Sequence, residues 1–149
     1  MNRTTNPTFK TTDAKWYVVD AAGIPVGRLA AQVAQVLRGK HKPTFAYNAD
    51  GGDFVIVINA GRAVLTGNKK DELIYWHTMW PDGLRNISRG KMLEDKPEKL
   101  VEKVVWGMLP KTKLGKQIYK KLKVYSGEDH PHKAQNPEVL SIKKEARKA

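Results

Sequence analysis

The segment after Pro25 places hydrophobic residues at the spacing of one helix face. These residues are Val26, Leu29, Val33, Val36 and Leu37. Side chains three, four or seven positions apart lie on the same side of an α-helix. Pro25 suits the first helical turn, where its missing N–H is not needed, and Gly39 suits the position that ends a helix. The pattern predicts an amphipathic helix between Pro25 and Gly39, with its apolar face in the core.

Short runs of β-branched and aromatic residues flank this helix. Residues 16–20 read Trp-Tyr-Val-Val-Asp, and residues 54–58 read Phe-Val-Ile-Val-Ile. The second run lacks polar alternation, which indicates a strand that is covered on both faces. Strand, helix and buried strand in this order predict a βαβ unit, in which a right-handed crossover joins two parallel strands.

A second apolar stripe predicts another helix late in the chain. Its members are Leu100, Val101, Val104, Val105, Met108 and Leu109, and we expect all of them in the core. Asp95 should cap this helix, Pro97 should open it and Pro110 should end it. Trp106 lies off the stripe, so it can either pack on a neighbouring loop or stack on a nucleic-acid base. A shorter helix over residues 88–95 should come before it.

The remaining patterns between these elements are weaker. Residues 64–66 and 73–76 can form short strands, whereas residues 77–89 should be irregular around the turn Pro81-Asp82-Gly83. Because strands and helices alternate along the chain, the predicted fold class is α/β, with a small, mostly parallel sheet between helices.

Residues 111–123 form the most basic stretch of the chain, with six lysines and no acidic residue. Leu114, Ile118 and Leu122 recur every four positions between these lysines, which predicts a helix that docks through one apolar stripe. Most of the lysines should then face outward. They would suit the phosphates of a nucleic acid, although many lysine-rich helices only present a solvated surface.

The net charge indicates the kind of partner, and the length indicates the number of domains. The 149 residues carry a formal net charge of +12, which favours nucleic acid first and an acidic membrane surface second. The excess is concentrated in residues 110–149. This length favours one domain, which we place at residues 16–140, between a polar N-terminal arm (1–15) and a basic tail (141–149).

Several classes of protein are excluded or disfavoured. The chain lacks cysteine, which excludes disulfides and thiolate chemistry and suits an intracellular protein. No apolar run approaches the ~20 residues of a membrane span, and the polar N-terminus shows no secretory signal.

The chain also lacks the sequence motifs of common catalytic sites. It has no G-x-G-x-x-G motif, and Gly115-Lys116 is followed by Gln117, which cannot supply the metal-binding hydroxyl of a phosphate loop. His130 and His132 could share an ion, but no second pair of ligands is evident at a suitable spacing. We therefore expect no catalysis, no cofactor and no bound metal. The two histidines should contact RNA or support their loop.

A second basic cluster follows the first predicted helix. Arg38, Lys40, His41 and Lys42 lie at its C-terminal end, where the helix dipole favours cations in any case. Stabilisation of the helix end and phosphate binding are equally open for this corner. Together with the lysine stretch, the histidine loop and other cations, it gives a candidate RNA-binding set. The set is Arg28, Arg38, Lys40, His41, Lys42, Lys69, Lys70, Lys111, Lys113, Lys116, Lys120, Lys121, Lys123, His130, His132 and Lys133.

Several motifs in this order resemble one known family. In the second half they are Gly107-Met108-Leu109-Pro110, Leu114-Gly115, Leu122-Lys123-Val124-Tyr125 and His130-Pro131-His132. Upstream, Gly27-Arg28-Leu29-Ala30 and Leu37-Arg38-Gly39-Lys40 fit the same pattern, and the match spans residues 16–140. Together they resemble the thirteenth protein family of the large ribosomal subunit, in its bacterial and organellar form.

This resemblance implies a three-layer αβα domain around a short parallel sheet, without catalysis. It also implies binding to 23S-type large-subunit rRNA, contact with neighbouring ribosomal proteins, and a part in early subunit assembly and translation in the cytoplasm. Membranes and small-molecule substrates are not expected partners. The family often has a histidine where this chain has Asn48, an acid where Gly61 stands and a second glycine in place of Asp82. These departures concern loop details.

Two other classes stay open beside a structural RNA-binding protein. One is a nucleotide-using α/β enzyme with a basic substrate site, and the other is a scaffold protein on a membrane surface. Charge placement, the missing catalytic motifs and the resemblance favour the RNA-binding protein. Nucleic acid that copurifies with the chain and is removed by RNase would separate it from the other two.

Overall fold

The computed structural model describes residues 14–142 of the chain. In chain order the elements are β1 (Trp16–Asp20), α1 (Val26–Arg38), β2 (Phe54–Ile58), β3 (Leu73–His77), β4 (Leu84–Ser88), α2 (Arg89–Asp95), α3 (Pro97–Met108), α4 (Lys113–Tyr119), β5 (Leu122–Val124) and β6 (Glu138–Val139). One four-stranded sheet has the order β5-β2-β1-β6, with all pairs parallel, and β3 and β4 form an antiparallel hairpin. The predicted α/β class with a small, mostly parallel sheet is confirmed. The predictions for residues 1–13 and 143–149 lie outside the described residues.

The predicted parallel pair forms the centre of the sheet. β1 and β2 pair from Trp16 opposite Phe54 to Asp20 opposite Ile58, and the middle of β2 is fully buried, as its unbroken apolar run predicts. All five residues of the predicted α1 face are buried. They pack in one hydrophobic cluster with residues of β2 and α3.

Two glycines let the loop after α1 pack tightly against the end of the helix. Gly39 adopts the left-handed conformation with φ of 75°, which glycine tolerates without a steric cost. Gly52 passes so close that a Cβ atom there would lie 1.6 Å from the carbonyl oxygen of Leu37. The loop between these glycines therefore lies directly against the C-terminus of α1.

The hairpin confirms one of the weaker predictions and corrects another. The expected strand over residues 73–76 is confirmed as β3, but residues 84–88 are not irregular, because they pair with β3 along the whole of β4. The sequence of β4, Leu-Arg-Asn-Ile-Ser, is too polar to indicate a strand by itself, so its pairing with β3 decides its conformation. The possible strand over residues 64–66 is wrong, because Val64 makes only an isolated bridge to Pro25.

Helices α2 and α3 confirm most of the second apolar pattern. Ser88 caps α2 by accepting a hydrogen bond from the Lys91 N–H, and α3 begins at Pro97 as predicted. Asp95 does not cap α3, because Lys96 occupies the cap position without a side-chain bond.

Fewer residues of the α3 stripe are buried than predicted. Leu100, Val101, Val105 and Leu109 are buried, whereas Val104 is half-buried and Met108 is exposed. The core therefore covers the side of the helix that carries Val101 and Val105 and leaves the adjoining side at its C-terminal end open. The expectation that Val104 is buried is wrong.

The basic stretch contains a shorter helix than predicted. Helix α4 ends at Tyr119, and Leu122 belongs to β5, which pairs with β2. Leu122 and Val124 alternate with Lys123 and are both buried, so the strand period replaces the helical one at this point. The apolar stripe of α4 is reduced to Ile118, which is buried, and Leu114, which packs partly against the core.

Candidate nucleic-acid interface

The region of helix α4 presents three of the predicted lysines to solvent. Thr112 caps the helix by accepting a hydrogen bond of 3.2 Å from the Gly115 N–H, and Ile118 anchors it in the core. The solvent-facing lysines are Lys113, Lys116 and Lys120, whereas the ammonium of Lys111 donates a hydrogen bond to the Trp106 carbonyl. The outward orientation predicted for these side chains is confirmed, and their contact with phosphate stays a prediction.

Lys121 corrects this picture, because its side chain faces inward. Its exposed fraction is 7%. The ammonium donates hydrogen bonds to Asp50 Oδ1 at 2.8 Å and to the Gly52 carbonyl at 3.0 Å, and it lies 5.6 Å from the ring centroid of Phe54. Because a buried cation needs such partners, Lys121 holds the loop after α1 instead of facing a phosphate.

The corner after α1 also uses most of its cations internally. The guanidinium of Arg38 lies over the rings of Phe45, at 5.6 Å, and Tyr47, at 5.9 Å, an arrangement that favours a cation–π interaction. Lys40 is exposed and makes no ion pair within the described residues.

His41 and Lys42 both bind the buried carboxylate of Asp53. Lys42 Nζ lies 2.6 Å from Asp53 Oδ1, and His41 Nε2 lies 2.8 Å from Asp53 Oδ2 without hydrogen-bond alignment. The Lys15 backbone N–H donates a third contact, at 2.9 Å, to Asp53. Asp53 has no exposed surface, so these contacts offset its burial. His41 and Lys42 therefore have a structural role at this corner, and phosphate binding by them stays a prediction.

The histidine loop is held by side-chain contacts. His132 Nε2 lies 2.9 Å from the Tyr125 hydroxyl, and its ring centroid lies 5.2 Å from that of Trp16. Burial, together with the positive charges of Lys123 and His130, lowers the pKa of His132 below its ordinary value, so the ring is uncharged at neutral pH. His132 thus supports the shape of the loop, and RNA contact by His130, His132 and Lys133 stays a prediction. Within residues 14–142, no group of three side chains is arranged to hold a metal ion.

The other candidate cations lie apart from these clusters. Lys69 and Lys70 are exposed in a 3₁₀ turn, Gly67–Lys70. Arg28 and Lys123 are half-exposed. Among the described residues none of these four makes an ion pair, so all remain candidates for phosphate.

Sequence reasoning missed a group of lysines on α3. Lys99 and Lys103 line a cleft of about 370 Å³ between α3 and the hairpin, and both also line a cleft of about 720 Å³ between α3 and α4. The second cleft also contains Trp106, which lies 5.3 Å from Tyr119 in an edge-to-face arrangement. The four-residue spacing of Lys99 and Lys103 is visible in the sequence, but the clefts depend on the packing of α3 against distant elements.

An α/β domain that turns unpaired lysines outward from a docked helix fits the class of structural nucleic-acid-binding proteins. The family model described as "Ribosomal protein L13" matches residues 14–131. The chain therefore belongs to the ribosomal protein L13 family, whose members are structural proteins of the ribosome and not enzymes.

Relatives of this chain carry the name "Large ribosomal subunit protein uL13". The one from Desulfitobacterium hafniense is 56% identical over 131 residues, which cover 87% of this chain and 92% of the relative. The one from Mycobacterium leprae is 52% identical over 136 residues, with 91% and 92% covered. The one from Caldicellulosiruptor bescii is 57% identical over 129 residues, with 86% and 91% covered.

Proposed function

We propose that this chain is a structural constituent of the large ribosomal subunit that binds rRNA through its basic surface. Membership of the L13 family supports the assignment. The observation that carries the RNA-binding part is the orientation of α4. Buried Ile118 anchors one side of the helix, so Lys113, Lys116 and Lys120 point into solvent without a carboxylate partner among the described residues.

The mechanism is neutralisation of charge on a rigid support. RNA helices expose phosphates and 2′-hydroxyls more readily than base edges. The parallel sheet and α1 form the support, and the α4 lysines, Lys40 and Lys133 would hold RNA segments that otherwise repel each other. Such binding is largely independent of sequence and releases counterions, so it weakens with added salt.

The finer assignments belong to the same proposal. The rRNA is of the 23S type, other proteins of the large subunit are neighbours, and binding takes place early in subunit assembly. The bacterial relatives support a place in cytoplasmic ribosomes. Among residues 14–142, no helix combines the length and the apolarity that a membrane crossing requires. The proposal includes no catalytic step, cofactor or small-molecule substrate.

The test compares the salt dependence of binding to fragments of 23S rRNA. Changing Lys113, Lys116 and Lys120 to Gln removes three charges at little cost in helix propensity. The slope of log affinity against log salt should become shallower by about two to three units, because each neutralised phosphate contributes roughly 0.7 to 0.9. The melting temperature should hardly change, because exposed charges contribute little to stability.

The matched control changes the same three lysines to Arg, which keeps the charge and should keep the slope. An unchanged slope for the folded Gln variant would move the RNA contact away from α4. Failure of the wild-type chain to bind 23S rRNA and to cosediment with large subunits would contradict the proposed function itself.

A further inference from the structure

Two clefts flank α3, one toward the hairpin and one toward α4. Lys99 and Lys103 line both clefts and therefore lie where the two adjoin. The cleft on the hairpin side has an apolar lining that includes Ile74, Ile87 and Met92. The other cleft reaches the exposed lysines of α4. We call the two clefts together the α3 groove.

Positive charge predominates along the α3 groove. Its lysines are Lys96, Lys99, Lys103, Lys116 and Lys120, and its acids are Asp95 and Glu102. None of the five lysines makes an ion pair among the described residues. Glu102 interacts with the Tyr119 hydroxyl, whose pKa is raised by burial and by this carboxylate. The groove is therefore complementary to an anionic ligand.

The spacing of the lysines suits a ligand with repeated charges. Lys96, Lys99 and Lys103 are three and four residues apart, which corresponds to about 4.5 to 6 Å along a helix axis. A chain of phosphates that runs along α3 could meet these ammonium groups in succession, whereas a single small anion would need only one of them.

The groove also offers one aromatic side chain with a free surface. Trp76 is 46% exposed and borders the apolar cleft. Trp106 is less available, because Tyr119 packs against it and the Lys111 ammonium lies 4.4 Å from its ring centroid. A planar apolar group that enters the cleft would therefore meet Trp76.

We propose that an unpaired segment of rRNA lies in the α3 groove, with one base stacked on Trp76 in the apolar cleft and backbone phosphates on Lys99 and Lys103. Stacked aromatic side chains inside a basic groove are the usual means of binding single-stranded nucleic acid. An acidic protein segment would satisfy the lysines but would leave the apolar slot beside Trp76 without a planar occupant. The inference rests on the proposed rRNA binding and adds the site and the single-stranded form of the ligand.

The test uses the full chain and separates stacking from charge. Trp76→Ala should weaken binding to 23S rRNA fragments about 5- to 150-fold, as expected for the loss of one stacked base, without changing the salt slope. Trp76→Phe should retain most of the affinity. Tyr75→Ala is the matched control, because Tyr75 is exposed on the same strand but points to the opposite face of the hairpin; it should bind as the wild type does.

The phosphate part is tested with Lys99→Gln combined with Lys103→Gln. The salt slope should become shallower by about 1.4, since single strands contribute about 0.7 per phosphate. Equal affinity of the wild-type chain and Trp76→Ala would overturn the proposal, as would an equal loss in Tyr75→Ala. Large subunits that contain Trp76→Ala could lack a neighbouring protein while the RNA affinity is unchanged. That result would assign the groove to a protein and would also overturn the proposal. In each of these cases the wild-type chain still binds rRNA, so the proposed function would stand.

Discussion

Two basic regions of this molecule look similar in sequence and differ in structure. Both regions are clusters of cations. Residues 38–42 lie at the end of α1, and residues 111–123 lie in and around α4. At the first, Arg38 lies on aromatic rings while His41 and Lys42 bind Asp53. At the second, Lys113, Lys116 and Lys120 face solvent. A cluster of cations can thus stabilise the domain itself or remain available for a ligand.

The difference depends on whether a carboxylate can reach the cluster. Asp53 precedes β2 and is buried beside the end of α1, so it meets His41 and Lys42 where the loop turns back. Within the second region, Lys121 is the residue that meets a carboxylate, Asp50, and it is the one that turns inward. Both acids lie on the same loop, which is therefore held at two points.

Asp53→Ala should give the largest effect on stability. The change removes the acceptor of the Lys15 N–H and of the Lys42 ammonium, and each donor that loses its acceptor costs about 1 to 3 kcal/mol. Urea unfolding at neutral pH measures this free energy. Asp71→Ala is the control, because Asp71 is exposed and should change stability by less than about 0.5 kcal/mol. Similar unfolding curves for the two variants would show that the corner is held by other contacts.

The adjacent residues Lys120 and Lys121 sharpen the comparison. Lys121→Gln should destabilise the domain by about 2 kcal/mol, because it leaves Asp50 and the Gly52 carbonyl without their donor. Lys120→Gln should leave stability unchanged and make the salt slope of rRNA binding shallower by about 0.7 to 0.9. Unfolding and binding are measured on both variants. The distinction between inward and outward lysines fails if Lys121→Gln is as stable as the wild type.

The sequence was sufficient to predict the parts of the fold that depend on local periodicity. The α1 face and the buried run of β2 follow from spacing alone, and Gly39 ends α1 as expected. Strand β4 could not be predicted, because it depends on pairing with β3. The predicted end of α4 was also wrong, because Leu122 belongs to β5, which pairs with β2.

The candidate site was less predictable than the fold. Lys121 and Asp50 are 71 positions apart, and a charge pattern within one segment contains no information about such a partner. The lysines of α3 lie on its solvent side, but the hairpin that makes a cleft beside them packs there only in the folded chain.

The smallest expected effect concerns His132 and the pH dependence of stability. Its pKa is lowered in the folded state from the ordinary value of 6.5, so the unfolded chain binds more protons between the two pKa values. The stability that depends on neutral His132 should therefore be complete above about pH 6.5 and should be lost as the pH falls through the folded-state pKa. Unfolding experiments on the wild type and on His132→Gln across this range measure the contribution of His132 together with its coupling to His130. If the difference between the two proteins stays constant with pH, the Tyr125 contact does not depend on an uncharged ring.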